Sequence, residues 1–286
     1  MNILLITPLY SSAHYDSGWF WLRALNELGH SVQVWDYRLD VGPPPFLHCP
    51  DVTLVLKGET VDPRKLPHPV INYWPDALER TPGIEGVLKH YDKVFSPVRP
   101  TPDWIEWLPI GWDSTIHRDL EVARHGVIYI GTNNSRYKEQ MISKIAPDII
   151  IGNGWDSVQI GPLDYKVPSI SILPPKYLHE FVWWANKAEV LIDVHQSPYA
   201  GVNRKFFEMI SCGFTIVDRV PGVMGILGEI FGLNVTYTSV EEAKELVNFF
   251  LKNPEERKKM WEMEKEKIQP YTYENSVRRL LECLKK

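Results

Sequence analysis

Cysteine is scarce in this chain. Cys49, Cys212 and Cys283 are odd in number and far apart. No CxxC pair or Cys/His cluster has metal-ligand spacing, so neither a disulfide framework nor a structural zinc site is indicated. Long apolar runs are missing too: nothing approaches the ~20 residues of a membrane span. The apolar run at 3–6 has no basic region before it and is too short for a signal peptide. A cytoplasmic protein is expected. Nor does one sign of charge dominate, because 31 basic and 36 acidic residues leave a formal charge of −5. That balance makes bulk nucleic acid an improbable main partner, since such binding neutralises many phosphates. There is no short-period repeat and no GxGxxG. Aromatic residues are plentiful, with 11 Trp, 13 Tyr and 10 Phe. Such a surplus points to planar ligand surfaces as well as to packing.

At about 150 residues per domain, 286 residues make two domains. Strand and helix signals alternate from the start. Apolar runs at 2–7, 31–35, 52–56, 70–74, 93–96 and 107–110 read as strands, and 18–28 reads as a helix closed by Gly29. The series restarts at 127–131, with strands at 149–151, 158–160, 190–194 and 215–218 and helices at 137–145, 175–186 and 205–212. This alternation predicts an α/β protein with parallel sheets covered by helices. The domains are expected at 1–115 and 116–270, with a hinge at 113–124 and a closing helix in 271–286. Residues 241–286 carry 21 charges among 46 residues, read as solvated helix faces laced with i,i+4 pairs.

The most informative stretch is 188–218, AEVLIDVHQSPYAGVNRKFFEMISCGFTIVD. It reads as strand, polar loop, helix, glycine and strand. Asn203 is placed to cap the helix, whose N-terminus aims unpaired N–H groups and a positive dipole end into the loop. Arg204 and Lys205 add charge suited to a pyrophosphate. Glu208, one turn on, is placed either to accept hydrogen bonds from two ribose hydroxyls or to form a surface Lys-Glu pair. Gly131 to Arg136, GTNNSR, follows another strand; its small residues, with Asn133, admit a phosphate and Arg136 can pair with it. His195, at a strand end beside the first loop, reads either as a sugar or phosphate contact or as a satisfied buried histidine. After the first strand, His14 and Asp16 are the titratable residues of the loop at 8–17. Asp76 follows the strand INYW. These three are the candidates for a base or an acceptor-orienting group.

The positions Lys205, Phe207, Glu208, Met209, Cys212, Gly213, Ile216 and Val217 resemble the donor-binding segment of GT-B glycosyltransferases. More narrowly, Ile192 to His195, the loop before Glu208, and Tyr271-Thr272-Tyr273-Glu274 resemble the CgeB-like, spore-maturation-type branch of group 1. The resemblance covers most of 127–286 and, less specifically, 1–38. Ala200 departs from it, standing where many relatives carry a second glutamate eight positions before Glu208. The resemblance implies two Rossmann-like domains facing across a cleft, with the C-terminal helix crossing back to the N-terminal domain. It implies transfer of a sugar from a nucleotide-diphosphate sugar to an acceptor hydroxyl, without a metal and with retention. Nucleotide sugar is then a co-substrate, and no resident cofactor is expected. The acceptor (glycan, lipid, protein or small molecule) is not specified, and modified DNA is disfavoured by the charge. An epimerase or hydrolase of the same fold, or a non-catalytic nucleotide-sugar-binding protein, are the alternatives. Trp19, Trp21, Trp74 and Trp155 are expected to line the cleft, and Trp183 and Trp184 to pack in a helix.

Overall fold

Runs of buried aliphatic residues build both sheets. The computed structural model describes residues 1–11, 14, 15, 17–39, 49–76, 78–98, 101–109, 111–156, 170–196 and 201–285. The chain divides into two units, Met1–Gly111 with Tyr271–Lys286, and Trp112–Pro270.

The first unit contains β1 (Asn2–Ile6), β2 (Tyr10–Ser11), β3 (His14–Tyr15), α1 (Ser17–Glu27), β4 (Ser31–Trp35), β5 (Val52–Leu56), β6 (Val70–Tyr73), α2 (Ile84–Leu88), β7 (Lys93–Ser96) and β8 (Ile105–Trp107). Its six-stranded sheet has the order β4-β1-β5-β6-β7-β8, with every pairing parallel. β5 and β6 bury every side chain, as expected of parallel strands covered on both faces. The strand expected at 107–110 lies earlier, at β8.

The second unit contains β9 (Val127–Ile130), α3 (Arg136–Ile145), β10 (Ile149–Ile151), β11 (Ser171–Leu173), α4 (Leu178–Lys187), β12 (Val190–Asp193), α5 (Arg204–Cys212), β13 (Thr215–Asp218), α6 (Pro221–Leu227), α7 (Glu229–Gly232), β14 (Thr236–Tyr237), α8 (Val240–Lys252) and α9 (Pro254–Ile268). Its parallel sheet has the order β11-β10-β9-β12-β13-β14. The chain moves outward from β9 to one side, then returns to start the other side at β12. The crevice at the C-terminal ends of β9 and β12 is therefore the topological switch point, where doubly wound sheets bind ligands. The strand expected at 158–160 lies outside the described residues.

After Pro270 the chain rejoins the first unit as α10 (Tyr273–Glu282). Thr272 caps it by accepting from the Asn275 N–H (3.2 Å), and Tyr273 stacks on Phe20 of α1 at 5.1 Å between ring centres. A Cβ on Gly111 would lie 2.6 Å from the Tyr273 backbone nitrogen. Glycine thus permits that close approach.

The segment 113–124, expected as a hinge, lies inside the second unit. The Trp112 indole donates to the Ile268 carbonyl (3.2 Å), and the Leu120 N–H donates to Asn186 Oδ1 (2.8 Å). These anchors tie the segment to α9 and α4. The tryptophan expectation also needs correction. Trp21, Trp74 and Trp155 are buried core residues: Trp21 lies on the buried face of α1 with Phe20, Ala24 and Leu25, and Trp74 packs with Val55, Val70 and Val94. Trp19 is half-buried, edge-on to Phe20. Trp183, expected to pack, is 45% exposed, with the Lys187 ammonium 4.5 Å from its ring centre. Among the described residues, no helix is long and apolar enough to cross a membrane.

Candidate functional site

The turn after β9 is built by glycine and held by tryptophan. The Gly131 N–H donates to the Ile151 carbonyl, and the Gly131 carbonyl accepts from the Trp155 indole, both at 2.8 Å. A Cβ on Gly131 would sit 2.6 Å from the Tyr129 hydroxyl and 2.9 Å from Lys205 Nζ. The missing side chain is what lets Lys205 reach the floor of the turn. Asn133 is committed to the neighbouring loop, donating from its backbone to Asn153 and from Nδ2 to Gly154, each at 2.9 Å. Arg136 opens α3 and is exposed, with no ion pair among the described residues. Ser135 caps that helix, accepting from the Lys138 N–H (3.2 Å).

At the switch point, β12 and β13 each end in a buried carboxylate, Asp193 and Asp218. Asp218 accepts from the His195 backbone N–H (3.0 and 3.1 Å) and lies 2.6 Å from His195 Nδ1. Burial pulls the His195 pKa down, but Asp218 and Asp193 outweigh it and leave the imidazole above its usual value. His195 Nε2 points to the Asn203 N–H (3.4 Å). Asn203 in turn caps α5, its Oδ1 accepting from the Phe206 N–H (2.9 Å). The histidine thus links the strand end to the start of the helix.

Lys205 turns inward from α5 to lie 2.7 Å from Asp193 Oδ1 and 4.7 Å from the Tyr129 ring centre. Burial works against the Asp193 carboxylate, yet Lys205 and then His195 hold its pKa below the usual range. Tyr237 donates its hydroxyl to the Asp193 carbonyl (2.7 Å). Burial and then Asp218 push the Tyr137 phenol up to about 12. The pairs His195–Asp218 and Lys205–Asp193 thus place two buried carboxylates and their partners side by side at the floor of the site.

Glu208 is only 6% exposed. It is therefore not the surface half of a Lys-Glu pair. Its Oε1 lies 2.8 Å from Arg204 Nε and 3.4 Å from His117 Nε2. Of the three cations expected to serve a phosphate, Arg204 and Lys205 thus each have a carboxylate neighbour, Glu208 and Asp193.

In the first unit, Asp76 follows β6 and lies 3.3 Å from Lys57 Nζ and 3.9 Å from Arg80 Nη1. Lys57, which follows β5, has a left-handed backbone (φ 64°), a conformation that collects at functional positions. His14 lies in β3, and Asp16 lies outside the described residues, as does Ala200. Among the described residues, no three His, Cys, Asp or Glu side chains are grouped to hold a metal ion.

Asp193, Asp218, Tyr129 and His117 escaped sequence reasoning. The first two had a signal, a carboxylate closing a fully apolar strand. His117 had none, since only folding brings it beside α5.

Comparison with known proteins follows the same lines. A family model described as glycosyl transferase-like matches residues 136–282. No curated protein sequence matches the chain. T4 phage BGT in complex with its UDP-glucose substrate is similar in structure at TM-score 0.67 and 13% identity, over 100% of this chain and 99% of that one. An alpha-glucosyltransferase in complex with UDP and a 13-mer DNA with a central A:G mismatch matches at TM-score 0.64 and 13% identity, with 100% and 99% covered. OtsA without ligand matches at 0.65 and 9%, again with 100% and 99% covered. At such identities the likeness is one of fold, the GT-B fold of two parallel α/β units.

Proposed function

Because the chain belongs to the glycosyl transferase-like family, we propose that it transfers a sugar from a nucleoside-diphosphate sugar to an acceptor hydroxyl. The observation that carries this reading is the switch point of the second sheet. There the capped first turns of α5 carry Arg204, Lys205 and the buried Glu208, and Lys205 reaches the turn after β9. Glu208 takes the ribose hydroxyls. The N-terminus of α5, with Lys205, Arg204 and Arg136, holds the diphosphate. Gly131 and Asn133 shape its seat, and His195 with Asn203 keeps the start of α5 in place. The acceptor oxygen bonds to the anomeric carbon as the bond from that carbon to the diphosphate oxygen breaks. The electron pair leaves with the nucleoside diphosphate, whose growing charge these cations stabilise. The proton lost by the acceptor hydroxyl passes to a base, for which Asp76, His14 and Asp16 are the groups assigned.

Transfer is proposed to run without a divalent metal and with retention of configuration. The motifs from Ile192 to His195 and from Tyr271 to Glu274 favour a place in the CgeB-like branch. Two of the similar folds act on or bind DNA, so a DNA duplex belongs among the acceptors assayed, against the expectation set by the −5 charge.

The test is a thermal-shift screen across UDP-, GDP- and ADP-sugars, since a ligand of the native state raises Tm. Turnover of the best donor then follows, with and without chelator. The expected result is a shift with one nucleotide series that Glu208→Ala abolishes while the variant stays folded. Unchanged turnover by Glu208→Ala would overturn the ribose assignment. Formation of a new sugar isomer without acceptor would identify an epimerase instead.

A further inference from the structure

We propose that His117 is a positioning residue that holds the Glu208 carboxylate toward the ribose, and so sets the preference for ribonucleoside over dideoxynucleoside diphosphates. This rests on the ribose assignment of Glu208 made above.

A carboxylate as buried as Glu208 needs donors around it. Both of its neighbours, Arg204 at 2.8 Å and His117 at 3.4 Å, converge on Oε1; the second oxygen carries neither contact. The two neighbours differ in kind. Arg204 is on the same helix as Glu208, is 31% exposed along its side chain, and is itself assigned to the diphosphate. When it turns to phosphate, Glu208 loses its shorter contact. His117 is 2% exposed and comes from a separate turn.

That turn is rigid for reasons visible in its bonds. The Asp113 carboxylate accepts from the Thr115 N–H (2.9 Å), the Thr115 hydroxyl (2.7 Å) and the Ile116 N–H (3.2 Å). The His117 N–H donates to the Asp113 carbonyl (2.8 Å). Phe181 meets the imidazole edge-on, at 6.2 Å between ring centres and 80° between planes.

The ring has a defined proton. Burial, helped by Arg204, holds the His117 pKa below the usual value against the pull of Glu208 and Asp113. At neutral pH the ring is therefore uncharged, with a single N–H. Its Nδ1 lies 3.3 Å from the Asp113 backbone nitrogen, whose N–H it can accept, and 3.2 Å from the Asp113 carbonyl oxygen, to which it could donate. The 3.4 Å approach to the Glu208 carboxylate selects the tautomer with the ring proton on Nε2. The opposite tautomer would set two lone pairs against each other across the 3.4 Å contact. His117 thus supplies a donor that stays fixed whichever way Arg204 points.

The test is calorimetric titration of the full chain with UDP and with 2′,3′-dideoxy-UDP, repeated for His117→Phe and His117→Gln. GDP and ADP, with their dideoxy forms, replace UDP if the screen selects them. The native protein is expected to prefer the ribonucleotide by about ten-fold or more, the value of one hydrogen bond to a charged group. His117→Phe, which keeps the ring volume without the donor, should lose about ten-fold on the ribonucleotide and leave the dideoxy affinity unchanged. His117→Gln, whose amide N–H can stand in for Nε2, should retain most of the preference. Equal weakening of both nucleotides by His117→Phe, or no weakening, overturns the proposal. Should that variant fail to fold, His117→Met, which also lacks a donor, is judged by the same criterion. A native protein that binds the ribonucleotide without preference overturns the ribose assignment. One that binds no nucleoside diphosphate overturns the functional reading itself.

Discussion

Lys205 Nζ lies 2.7 Å from Oδ1 of Asp193, a carboxylate sealed from solvent at the end of β12. Neither atom makes a well-aligned hydrogen bond, so the attraction is chiefly Coulombic, with the Tyr129 ring face 4.7 Å from the ammonium adding to it. The pair ties the first turn of α5 to the central strand beneath it. The same lysine is assigned to the donor diphosphate, so fold and site share one side chain.

Removing one partner of a buried pair leaves the other charge uncompensated, at a cost of about 3–5 kcal/mol. Lys205→Met should therefore destabilise the chain by about that much in urea unfolding at pH 7. Combining it with Asp193→Asn should recover part of the loss. The folded pKa of Asp193 lies below its ordinary value of 3.8, so its contribution is present above that value and disappears as pH falls through the folded pKa. The difference between native protein and Asp193→Asn should shrink at acid pH; a pH-independent difference would argue against the ion pair.

Gly131→Ala places a methyl group 2.6 Å from the buried Tyr129 hydroxyl and 2.9 Å from Lys205 Nζ. Tyr129 is wedged against Trp155, at 5.4 Å between ring centres, so the lysine has to give way. We expect a loss of about 1–3 kcal/mol in stability, typical of overpacking, and weaker nucleotide binding by calorimetry. An alanine variant with native stability and affinity would contradict the close approach.

His195 and His117, both buried, should titrate on opposite sides of 6.5. His195 is raised by its carboxylates against burial, whereas His117 is lowered by burial. The stabilising contribution of His195 is full below its unfolded pKa and is lost as pH rises through the folded one. Imidazole resonances, assigned with His195→Asn and His117→Gln, check the order directly. Unfolding free energies measured upward from pH 6.5 check the linkage, with the native advantage over His195→Asn declining as pH rises.

Tryptophan fluorescence separates the two indoles whose sequence expectations were reversed. Trp155 is fully buried and donates to the Gly131 carbonyl (2.8 Å), while Trp183 is 45% exposed. Trp183→Phe should remove an acrylamide-quenchable component with a stability change within about 0.5 kcal/mol. Trp155→Phe should leave quenching unchanged and cost about 1–3 kcal/mol, because a buried carbonyl loses its donor.

Much of the architecture was legible from local pattern. Short apolar runs such as LLI, LVL and VIYI read as strands buried on both faces. Their alternation with amphipathic helices calls for parallel sheets, and Asn203 and Gly213 mark the ends of α5 in the residues themselves. The segment assigned to the donor stands out in the same way: its cap, cations and glutamate lie within six consecutive positions of one turn and helix. Less visible were β11, α6, α7 and β14, which are too short for a period to emerge.

Helix spacing alone also puts Arg204 and Glu208 on one face. Only the tertiary structure decided what those side chains touch. Lys205 turns down to Asp193 because Gly131, from a strand 74 positions earlier, leaves room for it. His117 reaches Glu208 because the 113–117 turn is anchored beside α4 and α5. The tryptophans were misread for the same reason: an indole looks alike in sequence whether it meets a sugar or a neighbouring strand. Burial and pairing are settled by contacts between segments far apart in the chain, and no local period encodes them.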